Sequence, residues 1–203
     1  MIFHMGIIMA EKLRIGILGR GNVGSALKRG LERAGYSPAV AGREREKIAD
    51  IARKSELIVL ATPFPAVAET LNLMGKVNGK TIVDVTNLYT PEMKSIAGAI
   101  SGAEFIQKKV PEAHVVKAFN MHFAKNMETG RVGNEQLTLF IAGDDADSKQ
   151  KTAQMGRDLG FDVVDAGPLK NAELLEALGN LNIQLGYSQG LGTDIGFKLV
   201  RRK

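Results

Sequence analysis

Three glycines, Gly19, Gly21 and Gly24, interrupt the apolar run Ile15-Gly-Ile-Leu18 with GxGxxG spacing. A helical pattern follows at once, carried by Val23, Ala26, Leu27, Leu31 and Ala34 and stopped by Gly35. The chemistry this spacing permits is pyrophosphate binding. The first glycine lets a strand end in a tight turn, the second lets the backbone approach phosphates, and the third lets the new helix pack closely on the sheet. The anion would then rest on free N–H groups at a helix N-terminus. Candidate dinucleotide-binding residues are therefore Gly19, Arg20, Gly21, Asn22, Val23 and Gly24.

The end of the next strand chooses between dinucleotides. In such folds a carboxylate there bonds the ribose 2′-hydroxyl of NAD, while basic residues accommodate the 2′-phosphate of NADP. The strand expected over Tyr36 to Ala41 ends in Gly42-Arg43, with no carboxylate at the strand end. Arg43 can grip a phosphate through its planar fork, and Lys47 follows one helical turn later as a second cation. Gly42, Arg43 and Lys47 thus point to NADP(H). The alternative is a solvated charged face, since Arg43, Arg45 and Lys47 alternate with Glu44 and Glu46.

Positioning these residues requires an alternation of strands and helices. Strands are expected at Leu13 to Leu18, Tyr36 to Ala41, Leu57 to Leu60, Thr81 to Val85, His114 to Ala118, Leu137 to Ala142 and Phe161 to Asp165. Helices are marked by Ile48 and Ile51, by Val67, Leu71 and Met74, and by a run to about Leu159 that Gly160 caps. The pattern predicts an α/β fold: a Rossmann-type doubly wound, mostly parallel sheet with helices on both faces. Residues 13–203 are expected to form a single domain, with a small C-terminal helical extension from about residue 171 and an N-terminal extension over 1–12. Leu174, Leu178, Leu181 and Leu185 are expected to bury an apolar stripe, on the sheet or in a homodimer.

In open parallel sheets ligands bind beyond the carboxyl ends of the strands. Those loops hold Ala61-Thr62-Pro63-Phe64-Pro65, Asp84-Val85-Thr86-Asn87 and Phe119-Asn120-Met121-His122. Ala61, Thr62, Pro63, Thr86 and Asn87 are candidate cofactor contacts, although the prolines also suit a helix start and Asn87 a turn. His122 and Asn120 are the candidate acceptor-positioning residues, with His122, Lys117 and Tyr89 the available proton donors. Lys117 reads equally as a ligand contact and as a solvated side chain. Asp144, Asp145 and Asp147 read as helix capping rather than as a cation site, because the remaining ligand spacing is missing.

Composition narrows the class. The 203 residues can form one sizeable core. With no cysteine, disulfides and thiolate metal or redox chemistry are excluded. A net charge of +5 suits an anionic cofactor but is too diffuse to argue for nucleic acid. The apolar opening Met1 to Met9 is too short to span a bilayer and lacks a basic leader. A cytoplasmic protein with a small-molecule partner, no nucleic acid and no membrane is expected.

Further motifs carry a family resemblance. Gly143-Asp144-Asp145 with Ser148-Lys149, Leu159-Gly160-Phe161, Asp165-Ala166-Gly167-Pro168-Leu169, Asn171 and Leu174-Leu175-Glu176 resemble the C-terminal half of NADPH-dependent reductases of the deazaflavin coenzyme F420. Gly19 to Gly24, Gly42-Arg43 with Lys47, Ala61-Thr62-Pro63 and Val116 to Asn120 are similar to their N-terminal half. The resemblance covers nearly all of the chain from Leu13 onward. It implies a Rossmann core, homo-oligomerisation, and Arg43 with Lys47 on the 2′-phosphate. The chain departs from the pattern after Asn87, where Leu88-Tyr89-Thr90-Pro91 replaces the usual proline, and at Asn120, where archaeal members carry a histidine. The core is also similar to the NADPH domains of membrane ferric reductases.

On this resemblance the expected activity is hydride transfer between NADPH and coenzyme F420, a flavin or a similar planar acceptor, which needs little protein acid or base. The competing readings are a reductase of a different small substrate and a non-enzymatic NADP(H)-binding sensor or partner subunit.

Overall fold

The computed structural model describes residues 12–88 and 100–202. Tyr89 and the N-terminal segment through residue 11 lie outside the described residues. The chain runs β1 (Ile15–Leu18), α1 (Asn22–Arg33), β2 (Ala39–Ala41), α2 (Arg45–Lys54), β3 (Leu57–Leu60), α3 (Val67–Met74), β4 (Thr81–Asp84), α4 (Gly102–Lys109) and β5 (His114–Lys117). It continues through α5 (Ala124–Met127), a small hairpin of β6 (Arg131–Val132) and β7 (Glu135–Gln136), β8 (Thr138–Gly143), α6 (Ala146–Asp158), β9 (Asp162–Asp165) and α7 (Ala172–Ile183).

Seven strands form one sheet in the order β2-β1-β3-β4-β5-β8-β9. Every pairing is parallel except β5 with β8, where Val116 opposes Gly143 and Lys117 opposes Ala142. The reversal follows from the connection, because α5 and the β6–β7 hairpin return the chain on the same side without a crossover helix. Strand order changes direction at β1, whose neighbours β2 and β3 lie on opposite sides, and the crevice at such a switch point is where ligands bind.

Strand alternation sends side chains to both faces. Ile15, Ile17, Leu57, Val59, Val83 and Val116 join one buried cluster with Leu27 and Leu31 of α1. Leu18, Ile58, Leu60, Ile82 and Val115 join a second with Ile48 and Ile51 of α2, Val67 and Leu71 of α3 and Ile106 of α4. Runs buried on both faces are the mark of a parallel sheet between helical layers. Helix α4 has a capping box: Ser101 accepts from the Glu104 N–H, and the Glu104 carboxylate accepts from the Ser101 N–H.

Within the chain α7 does not bury the expected leucine stripe on the sheet, beyond Leu178, which packs partly on the core. Leu174 and Leu181 are exposed, while Ala172, Leu175, Glu176, Gly179 and Asn182 face inward. Polar Glu176 and Asn182 can turn inward because both find partners, Lys117 for the first and the Met121 carbonyl at 2.9 Å for the second. Of the three aspartates Asp145 caps α6, accepting from the Ser148 N–H, while Asp144 accepts from the Leu169 N–H and Asp147, in the first turn of α6, pairs with Lys151.

Beyond α7 and one π-helical turn, the tail is bound without regular structure. Asn126 donates to the carbonyls of Thr193 and Ile195, the Thr138 N–H donates to the Phe197 carbonyl, and the Leu199 N–H donates to the Thr138 hydroxyl. No helix among the described residues is long and apolar enough to cross a membrane.

Candidate dinucleotide cleft

A cleft of about 1210 Å³ opens over the carboxyl ends of β1 to β4. Its walls include Gly19 to Val23, Gly42, Arg43, Ala61, Thr62, Pro63, Thr86 and Asn87, so one space brings together most of the residues singled out by spacing. Glu44, Phe64 and Glu69 line it too, and Ile183 reaches it from the end of α7.

The local folding explains the shape. Gly19 sits at φ 128°, and a side chain there would run into the Ala61 carbonyl of the neighbouring loop. Gly24 touches the Gly19 carbonyl with its backbone, which seats α1 directly on β1. Above Gly21 a Cβ would meet nothing within 4 Å. Helix α1 has no side-chain N-cap and no acidic residue in its first turn, leaving its N–H groups and positive dipole end open toward that space. The hydroxyls of Thr62 and Thr86 are buried without a hydrogen-bond partner, and both residues line the cleft. An open glycine, unclaimed helix N–H groups and two unpartnered hydroxyls are what a pyrophosphate with two riboses would use.

The two ends of the cleft differ in electrostatics. At the β2 end Arg43 has no ion pair or hydrogen bond with a described residue, while Arg20 pairs with Glu44. Glu44 also accepts from the Gly42 N–H at 2.8 Å. Hydrogen bonds from its own and the Gly42 backbone, with Arg20 and Lys47 nearby, hold its carboxyl below the usual range. Gly24 and Lys47 do not line the cleft. Arg43 precedes the N-cap residue Glu44, so Lys47 is not one helical turn below it but on the exposed first turn of α2.

At the β4 end the charges are buried. Lys117 is fully buried and pairs with Asp84 at 2.9 Å and Glu176 at 2.9 Å, and it donates to the Thr86 carbonyl at 2.7 Å. Burial alone would push its ammonium down, but the two carboxylates outweigh that and raise its pKa. Neither role foreseen for Lys117, ligand contact or solvated side chain, is what the structure shows. Asp84 also accepts from the Thr86 N–H, and Glu176 from the Gly102 and Ala103 N–H groups at the start of α4. The triad therefore ties the Thr86 loop to α4 and α7, and its surplus negative charge rests on the α4 N-terminus.

Asn120 and His122 stand outside the cleft lining. Phe119 takes φ 65°, unusual for a non-glycine residue, and the Asn120 N–H bonds back to the Ala118 carbonyl at 2.8 Å. This tight turn carries the chain into the interior instead of along the strand-end edge. The Asn120 amide then donates to Asn87 Oδ1 at 3.0 Å and to the Leu175 carbonyl at 2.9 Å, and Asn87 donates back to the Asn120 carbonyl at 2.8 Å. Gly179 lets α7 pack on this pair, since a Cβ would stand 2.7 Å from the Asn120 amide nitrogen. Asn120 thus acts behind Asn87, which does line the cleft. His122 is buried against Phe161, with ring centroids 4.9 Å apart, and its Nε2 meets the Thr138 carbonyl at 3.0 Å. Burial lowers its pKa to about 4, opposed by that carbonyl. The structure does not bring it to the acceptor side of the cleft.

Glu44 and Ile183 are among the lining residues the sequence did not single out, with Ala66, Glu69, Thr70 and Leu73 of the α3 side. Glu44 read as one charge of a mixed face, although its place directly after Gly42-Arg43 was a signal. Ile183 carried none, being one apolar residue in an apolar helix.

No protein-family model matches the chain. Among curated proteins it is similar to the rat metalloreductase STEAP3, with 30% identity over 182 residues, 83% of this chain and 36% of that protein. The chain thus spans about a third of the length of the curated relatives it matches. A solved structure from Arthrobacter sp. FB24, assigned as an F420-dependent NADP reductase, superposes with a TM-score of 0.84 at 28% identity, covering 94% of this chain and 100% of that one. An imine reductase from Pseudomonas sp. shares the fold, with a TM-score of 0.63 at 21% identity over 85% of this chain and 62% of its own. The chain thus has a Rossmann-type fold and is similar over nearly its whole length to a structure assigned as an F420-dependent NADP reductase, and over a third of their length to the metalloreductases.

Proposed function

We propose that the chain transfers hydride between NADP(H) and a planar acceptor, a deazaflavin such as coenzyme F420 or a flavin, stacked at the β4 end of the cleft. The observation that carries this reading is the chemistry of that end. Val85, Thr86, Asn87 and Ile183 line it, and none of them titrates. When bound, NADPH supplies the hydride from C4 of its nicotinamide, with both electrons of the breaking C–H bond. The first turn of α1 and Gly21 hold the pyrophosphate, Arg43 takes the 2′-phosphate with Lys47 adding its field, and Asn87 and the unpartnered Thr86 hydroxyl orient the nicotinamide end. Ile183 excludes water beside the acceptor. A ring acceptor that takes hydride and draws its proton from solvent needs nothing more of the protein, whereas an imine or carbonyl needs a positioned donor.

The exposed Leu174 and Leu181 on α7 support a homodimer through that helix. The deciding experiment follows NADPH oxidation with a deazaflavin, a free flavin, a cyclic imine and no acceptor. Turnover with the deazaflavin or flavin is the expected result. Turnover confined to the imine would overturn the planar-acceptor reading, and NADPH binding without turnover on any acceptor would favour a sensor.

A further inference from the structure

Three donors converge at the β2 end of the cleft: the Arg20 guanidinium, the Gly42 N–H and Arg43, which has no ion pair among the described residues. Arg20 reaches over Gly42, where a Cβ would stand 2.7 Å from its Nε and 2.9 Å from a terminal nitrogen, so a side chain there would push the guanidinium aside. One anion already occupies two of these donors. Glu44 spans the Gly42 N–H and Arg20 with its two carboxylate oxygens. A phosphate monoester would take the same donors, because both anions satisfy a guanidinium fork and a backbone N–H in the same way.

We propose that Glu44 is an internal competitor for the 2′-phosphate of NADP(H), a carboxylate that must leave Arg20 and the Gly42 N–H before the phosphate can seat. The inference rests on the NADP(H) reading above. A ligand with a free 2′-hydroxyl does not need that exchange, since the carboxylate can stay and accept the hydroxyl proton. Glu44 therefore weakens NADPH binding without weakening NADH binding, and it makes the wild-type site less discriminating than its two arginines alone would be. Glu44 and Arg20 are both about half exposed, at 43% and 55% of their side chains, so the exchange needs only rotamer changes.

The test uses adenosine 2′,5′-bisphosphate and adenosine 5′-monophosphate as probes, titrated calorimetrically into the full chain. Glu44→Gln keeps the shape and an amide oxygen for the Gly42 N–H but removes the charge. It is expected to tighten the bisphosphate roughly three- to tenfold, as for an exposed charge-assisted contact, and to leave the monophosphate no tighter. Arg20→Gln should weaken the bisphosphate, and adding Glu44→Gln to it should bring no gain. Unchanged or weaker bisphosphate binding in Glu44→Gln overturns the inference, the weaker result meaning that Glu44 holds Arg20 in place for the ligand. An equal gain in the Arg20→Gln background also overturns it, as a bulk charge effect. Failure of the underlying reading looks different: the wild type would bind both probes alike and Arg43→Ala would change neither.

Discussion

The two ends of the cleft hold their charges in opposite ways. At the β2 end Arg20, Arg43 and Glu44 stand in solvent on side chains free to change rotamer. At the β4 end Lys117, Asp84 and Glu176 are sealed under the floor and reach the cleft only through the backbone of Thr86. Exposed charges are screened and cheap to rearrange, so they suit selection among ligands. Buried paired charges are costly to disturb, so they suit fixing a loop in one position. On the proposed reading, ligand choice and ligand placement are separated along one groove.

The largest effect that could break this contrast is at Lys117. Lys117→Met leaves two carboxylates buried without their cation, and about 3 to 5 kcal/mol of stability should be lost in urea unfolding. A loss no greater than that of an exposed lysine would show that water reaches the triad, and the two ends would no longer differ in kind.

His122 sharpens the contrast through pH. Its folded pKa of about 4 lies below the ordinary 6.5, so the unfolded chain binds its proton first as pH falls. Stability is unaffected above pH 6.5 and declines between 6.5 and 4, by roughly 3 kcal/mol in total. His122→Gln, which keeps a donor for the Thr138 carbonyl, should flatten this part of the profile. An equally steep decline in the variant would assign the pH dependence elsewhere.

At the β2 end the expected changes appear in binding, with the fold untouched. Arg43→Ala should cost roughly 1.5 to 3 kcal/mol of NADPH affinity with little change for NADH, as measured by fluorescence titration. Equal losses for both would reduce Arg43 to general electrostatics. The smallest effect is expected at Arg45, whose 3.3 Å pair with Glu69 is largely exposed. Arg45→Ala should leave the melting temperature within error, because surface ion pairs rarely contribute measurably.

These differences also decide what the sequence could reveal. The glycine loop, the Gly42-Arg43 strand end and the Thr62-Pro63 and Thr86-Asn87 loops were legible because each depends on neighbours in the chain and on one rule about strand ends. Helix α4 went unrecognised although Ser101 and Glu104 have capping-box spacing, a local signal that was there to read. The inward face of α7 had no such signal. Glu176 and Asn182 turn inward only because Lys117 and the Met121 carbonyl wait for them some sixty residues away, at separations hydrophobic periodicity does not register. His122 was misplaced for a related reason: the strand-end rule assumes an ordinary exit from β5, and the positive φ of Phe119 redirects the chain.

The irregular tail bears on the order of folding. The bond from the Leu199 N–H to the Thr138 hydroxyl closes a span of 61 residues, from the tail to the first residue of β8. Closing so long a loop has an entropic cost that is offset only once both ends have a surface to bind. The clasp over residues 193–199 is therefore expected to close late in folding. Contacts that form late leave the folding rate alone and slow unfolding, so this segment without helix or strand is expected to set how long the assembled sheet persists.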